Sequence, residues 1–225
     1  MLRFVLRLLE DRMPAHGAPV YLPALAARTL YVIEGDATVE TAVGSTYHGQ
    51  GSAWIGDDAV AVLAGGQGAR FLRWELVLPT KDDGVLRAAP HCTSVVANSA
   101  TIELDPGFGW LMRCDRVSFP KGGIAYTHIH QGPGIRYCLE GSIRIETEGR
   151  VSTYDPGEAW FESGSAPVLA PTSADSETSF VRCFVLPRSC KGRTSIRYVR
   201  PEDASKPKLQ RYRVLGERFI ELPVS

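Results

Sequence analysis

The sequence predicts an all-β protein built from two copies of one sandwich or barrel unit. Two observations lead there. Apolar residues cluster in short runs rich in Val, Ile, Tyr, Phe and Thr, cut by 22 glycines and 15 prolines, and no segment keeps an apolar period near 3.6. The chain also repeats itself at an offset of 106 residues. Phe4-Val5-Leu6-Arg7 falls on Trp110-Leu111-Met112-Arg113, and Tyr31-Val32-Ile33-Glu34-Gly35 on Tyr137-Cys138-Leu139-Glu140-Gly141. Pro14 and Gly17 fall on Pro120 and Gly123, Val39-Glu40-Thr41 on Ile145-Glu146-Thr147, and Gly51, Ala53 and Trp54 on Gly157, Ala159 and Trp160. After a shift of two more residues, Leu78-Pro79 matches Leu186-Pro187. Self-similarity in one order over such a length marks a duplicated unit.

The expected organisation is a unit over 1–80, a linker over 81–106, a second unit over 107–188 and an extension over 189–225. In the second unit the expected strands are 135–139, 142–147, 159–162 and 179–186. Glu140-Gly141 and Asp155-Pro156-Gly157 supply the turns between them. In the extension, 211–215 and 218–222 are two short alternating runs able to extend a sheet. Exposed edges are covered in many proteins by pairing, so the tail around Val214 and Ile220 suggests a homodimer.

Composition narrows the function classes. The 225 residues hold 25 Lys plus Arg and 25 Asp plus Glu, a net charge of zero. That balance gives no electrostatic footprint for nucleic acid and none for an anionic membrane surface. No run of 18 apolar residues is present to cross a membrane. The first residues through Leu9 are apolar, but Arg7 interrupts them and Glu10-Asp11-Arg12 follows, so they read as mature structure rather than a leader. Five cysteines without Cys-x-x-Cys spacing suggest neither a disulfide framework nor a zinc ribbon. A reducing cytoplasm is the simplest compartment. Gly132-Pro133-Gly134 has no Lys-Ser/Thr after it, which argues against a phosphate loop, and no Gly-x-Ser-x-Gly is present.

One stretch carries chemistry. In Gly123-Ile124-Ala125-Tyr126-Thr127-His128-Ile129-His130, strand alternation puts Tyr126, His128 and His130 on one face. Two adjacent imidazoles suit cis coordination of Fe, Ni, Zn, Cu or Mn. Gly122, then His128-x-His130, then Gly141, resembles the first motif of the cupins. Asp155-Pro156-Gly157-Glu158-Ala159-Trp160-Phe161-Glu162 resembles the start of the second. The resemblance covers both units and implies a bicupin: two tandem double-stranded β-helix (jelly-roll, cupin) barrels, with a site inside. Cupins include oxygenases, isomerases, lyases, sugar binders and storage proteins, so the fold does not fix the function.

The motif departs from the family pattern. Gly134 stands where metal-binding cupins usually carry a Glu, and Val168 where they carry a third His. In the first unit Leu22 and Ala24 replace the His pair, which leaves the second barrel as the place for a site. If position 134 faces inward as in the family, Arg136 and Cys138 do too. A buried Arg136 then needs a carboxylate: Glu162, Glu158 or a bound acid. Glu158, Trp160 and Glu162 share one face of their strand. The expected roles follow. His128 and His130 hold a divalent metal (Fe, Ni, Zn or Mn) weakly, and Glu162 is a third ligand or the catalytic base. Arg136, Tyr126 and Trp160 contact the substrate. Two readings stay open: a metal-dependent enzyme of oxygenase or isomerase type acting on a small organic acid or sugar-like molecule, or a bicupin that binds or senses a small ligand without chemistry.

Overall fold

A computed structural model describes residues 1–222. The described chain is nearly all antiparallel strand and divides into two compact units, Met1–Gly107 with residues 220–222, and Phe108–Phe219.

The first unit contains β1 (Leu2–Met13), β2 (Val20–Leu22), β3 (Ala27–Thr41), β4 (Gly44–Gly49), β5 (Ala53–Gly56), β6 (Val60–Val77) and β7 (Thr93–Leu104). They form one sheet in the order β4-β3-β6-β1-β7, with β2 also on β6 and β5 also on β3. The long β6 pairs with β2 through its first residues and with β1 through its last, so one strand serves two parts of the wall. Met13, Val20, Leu22, Leu30, Val39, Val62 and Phe71 are among the buried residues of its core.

The second unit contains β8 (Trp110–Phe119), β9 (Ile124–His130), β10 (Gly134–Glu140), β11 (Ile143–Thr147), β12 (Arg150–Tyr154), β13 (Ala159–Glu162), β14 (Val168–Pro171) and β15 (Thr178–Pro187). The tail adds β16 (Ile196–Tyr198), a short helix α1 (Pro201–Ser205) and β17 (Arg211–Ile220). Two five-stranded sheets result, β13-β10-β15-β8-β17 and β12-β11-β14-β9-β16. Val117, Phe119, Cys138, Ile143, Ile145, Trp160 and Phe180, drawn from both sheets, pack a core between them.

The repeat persists down to single hydrogen bonds. Gly51 N–H donates to the Val32 carbonyl and Val32 N–H to that of Ser52. One repeat later Gly157 N–H donates to Cys138 and Cys138 N–H to Glu158. Gly35 (φ 72°) and Gly141 (φ 70°) both sit at bulges where the register slips against β6 and β15. A Cβ there would lie 2.0 Å from the Gly68 carbonyl oxygen, or 2.2 Å from that of Glu177, so only glycine fits. The ladders also refine the alignment. Val5 pairs with Val77, and its counterpart Leu111 pairs with Leu186. The last strands are therefore offset by three residues more than the first, not two, and Val77 rather than Leu78 corresponds to Leu186.

Two sequence expectations need correction. The stretch 81–106, read as a linker, contains the 12-residue strand β7, paired with β1. Only Ile102 and Leu104 of β7 are buried, so an edge strand with its outer residues in water reads as polar chain. The two short runs at 211–215 and 218–222 are one strand, β17, which passes through Gly216 and borders β8.

Candidate metal and ligand site

A cavity of about 240 Å³ lies inside the second unit. Its floor is apolar, formed by Val117, Phe119, Ile143, Ile145, Trp160 and Phe180. Charge enters as one layer across the first sheet. Trp160 of β13 pairs with Arg136 of β10, Arg136 with Arg182 of β15, and Arg182 with Asp115 of β8. His128 and His130 face this layer from β9.

His128, His130 and Glu162 each bring a ligand atom within 4.8 Å of the others, and all three are buried. His128 Nδ1 lies 2.7 Å from the Tyr126 carbonyl oxygen. A carbonyl only accepts, so Nδ1 carries the proton and Nε2 keeps its lone pair. His130 Nδ1 is 3.3 Å from the Ser195 hydroxyl. Burial lowers the pKa of His128, with Glu162 opposing. Burial, then Arg182 and Arg136, place that of His130 well below the ordinary range. Both rings are therefore neutral at pH 7, the form that ligates metals.

The chemistry of this donor set fits a divalent transition metal, two neutral imidazoles and one carboxylate converging on a point. The carboxylate is shared, however. Trp160 Nε1 donates to Glu162 Oε1 at 2.8 Å, and Arg136 Nη2 lies 2.7 Å from Oε2. That last contact is ionic rather than a hydrogen bond, because Nη2 has no aligned acceptor. Arg136 Nη1 donates to the Gly134 carbonyl at 2.6 Å. Burial brings the Arg136 pKa down to about 10, still leaving it charged at pH 7. Gly134 has a steric reason as well. A Cβ there would lie 2.6 Å from the Cys183 carbonyl oxygen and 3.2 Å from Arg136 Nη1, so the arginine occupies the space a longer side chain would need.

Arg136, Trp160, Glu162, His128 and His130 thus meet around one cavity, while Tyr126 does not line it. Val168 pairs with His128 and Ala170 with Ala125, so three residues of β9 span two of β14. This bulge reverses the alternation between Tyr126 and His128. Tyr126 lies instead beneath the ammonium groups of Lys206 and Lys208. Sequence reading missed Arg182, Ser195, Tyr198, Lys208, Gln210 and Tyr212, which also line the cavity. Arg182 carried a signal, a lone charge in the apolar run Phe180-Val181-Arg182-Cys183-Phe184. The tail residues carried none, since only the pairing of β16 with β9 brings them in.

No protein-family model and no curated protein matches the sequence, but solved structures do. Bacillus subtilis oxalate decarboxylase, in a study of its Mn(II) centres, matches with a TM-score of 0.62 at 14% identity, covering 89% of this chain and 73% of that one. AerE from Microcystis aeruginosa matches with a TM-score of 0.57 at 10% identity, over 81% and 88%. A cupin 2 conserved barrel domain protein from Leptotrichia buccalis matches with a TM-score of 0.50 at 13% identity, over 80% and 83%. Identities this low speak to architecture alone, and what they show is that this chain has the cupin fold.

Proposed function

We propose that the second unit is a metal-dependent enzyme acting on a small organic acid, with His128, His130 and Glu162 as the metal ligands. The observation that carries this reading is the convergence of the three ligand atoms within 4.8 Å, all from buried side chains that line one cavity. A divalent metal bound there supplies a Lewis acid with open positions for substrate, as in oxygenase or isomerase chemistry. The protein does the rest. The Tyr126 carbonyl fixes the His128 tautomer, and Ser195 orients His130. Trp160 holds one Glu162 oxygen in place, and Arg136 offers positive charge to an acid. Glu162 can also take a proton once Arg136 turns to substrate. Fe, Ni, Zn and Mn all suit this donor set, and the Mn(II) centres of oxalate decarboxylase support the choice of Mn as the first probe.

The test is elemental analysis of protein purified without a chelating column. Wild type is expected to hold one transition metal per chain, lost in His128→Ala. A metal-free wild type, or an unchanged content in the variant, rejects the reading. One observation favours a second reading, a non-catalytic binding module: Glu162 is already engaged by Arg136 and Trp160, and neither Gly134 nor Val168 offers a further donor. We also propose a homodimer formed through the edges around β17, which light scattering at micromolar concentration tests.

A further inference from the structure

The two units carry the same arginine in two different states. In the first unit Arg73 of β6 pairs with Leu30 and Leu9, and in the second Arg182 of β15 pairs with Arg136 and Asp115. Leu30 corresponds to Arg136 and Leu9 to Asp115 at the 106-residue offset, so Arg73 and Arg182 hold one ladder position. Arg73 is saturated. Its Nε and Nη2 donate to Asp11, its Nη1 to Glu75 Oε1 at 2.8 Å, and its Nη2 also to the Gly84 carbonyl. Arg182 donates Nε to Asp115 Oδ1 at 2.6 Å, and among the described residues its two Nη groups make no hydrogen bond. Part of the difference is Asp11, which takes two Arg73 donors and whose counterpart at the 106-residue offset is Val117, and part is one residue of the strand itself. Two positions along the strand the first unit has Glu75, and the second has Phe184 at the same register, opposite Gly134 and Arg113 as Glu75 is opposite Arg28 and Arg7.

We propose that Arg182 anchors the carboxylate of the substrate, in the place that Glu75 fills by itself in the first unit, and that the substrate is a monocarboxylate with an apolar body. A guanidinium presents its Nη edge as a fork matched to a carboxylate. Arg182 is held for that task by Asp115 on one side and by the Phe184 ring, 4.6 Å from its central carbon. Arg136, directly across the ladder, lies 4.7 Å from the same ring. Each guanidinium already has one carboxylate, Arg136 with Glu162 and Arg182 with Asp115, so what draws a further anion is the Nη fork of Arg182 rather than net charge. The next layer along the strands is Cys138, Phe180 and Val117, so the rest of the molecule meets apolar wall. A second carboxylate there would be buried without a partner. Lys208 does not supply one, because its ammonium donates to the carbonyls of Asp203, Ala204 and Lys206. At about 240 Å³ the cavity lies below the roughly 300–1,000 Å³ of pockets that take drug-sized ligands, which suits a small molecule.

This inference rests on the cavity being a small-molecule site and not on the metal, so it is tested in metal-free protein. Full-length wild type is stripped with chelator, its metal content measured, and titrated calorimetrically with hexanoate, hexanamide, acetate and adipate. Hexanoate is expected to bind at least tenfold more tightly than each of the others. The double variant Asp115→Asn, Arg182→Gln removes the buried pair together and strands no charge. It is expected to lose at least tenfold for hexanoate while taking up metal as wild type does. Arg182→Lys, which keeps the pairing charge but not the fork, is expected to lose binding as well and serves if the double variant does not fold. Hexanamide or adipate binding as tightly as hexanoate overturns the proposal. So does hexanoate binding unchanged in the folded variants, or absent from wild type. A metal-free wild type that binds hexanoate in this pattern leaves the anchor standing and rejects only the enzyme reading.

Discussion

Arg136 and a metal ion compete for one carboxylate, which makes Arg136→Met an informative perturbation. At pH 7 Arg136 is charged and 1% exposed, with Nη2 2.7 Å from Glu162 Oε2. Removing one partner of a buried pair strands the other and costs about 3–5 kcal/mol. For a unit of this size each kcal/mol moves Tm by about 4 °C, so the second unit of the metal-free variant melts about 12–20 °C below wild type. A metal held by His128, His130 and Glu162 replaces the missing charge. Saturation at a hundredfold over Kd returns about 2.7 kcal/mol, or about 10 °C. Wild type gains less, because there the metal must first displace Arg136. The assay is differential scanning calorimetry of both proteins with chelator and with Mn2+. A larger Mn2+ shift in the variant than in wild type is the expected result. If Mn2+ leaves the variant's melting unchanged, Glu162 is not a ligand and the competition argument fails.

Acid should weaken the two units in different windows. Burial lowers the pKa of His128 and of His130, so the unfolded chain takes up protons first and the second unit loses stability as pH falls below about 6.5. In the first unit burial raises the Glu75 pKa, but Arg73, Arg28 and Arg7 outweigh it and hold the group at about 2. That depressed value contributes about 3 kcal/mol above pH 4.5, lost only as pH falls toward 2. Calorimetry between pH 7 and 3 should show the second unit failing first, and a single shared loss would contradict this order. Gly141→Ala should cost about 2–4 kcal/mol from its positive φ and the Glu177 carbonyl, read as a lower urea midpoint; an unchanged midpoint would show the bulge can open. Tyr126→Phe should leave metal content and hexanoate binding within twofold of wild type, since the ring lies outside the cavity; a tenfold loss would place it back inside.

The architecture was legible because duplication doubles every local signal. Gly35 and Gly141 mark equivalent bulges, and each is required by a backbone oxygen close to where a Cβ would stand. His128, His130, Arg136, Trp160 and Glu162 were legible by alternation, since β9 past its bulge, β10 and β13 keep strict parity up to the site. Alternation failed at Tyr126, where a single inserted residue reverses the face and leaves no trace in composition. β7 was missed because an edge strand with one side in water lacks the apolar pattern of a buried one. The tail residues were missed because long-range pairing alone places Ser195 and Tyr198 beside the histidines.

The contrast between Glu75 and Phe184 shows how one duplicated frame gives one arginine held on every nitrogen by its own chain and one with an open edge. In the first unit Glu75 ties together Arg7, Arg28 and Arg73, and Leu30, the counterpart of Arg136, joins the apolar core. Asp11 and Glu75 between them engage those three guanidiniums, and Leu22 and Ala24 stand where the histidines would be. In the second unit a ring replaces the carboxylate, Gly134 replaces Arg28 and Val117 replaces Asp11, and among the described residues the two Nη groups of Arg182 have no hydrogen bond. Asp115 offsets the Arg182 charge through Nε and leaves the Nη edge as the side open to a partner from outside. The first unit carries that partner covalently, in its own chain. In the second unit Arg136 is paired with Glu162 and Arg182 with Asp115, and the remaining Nη edge of Arg182 lies in a cavity beside two neutral imidazoles, where it can select an anion.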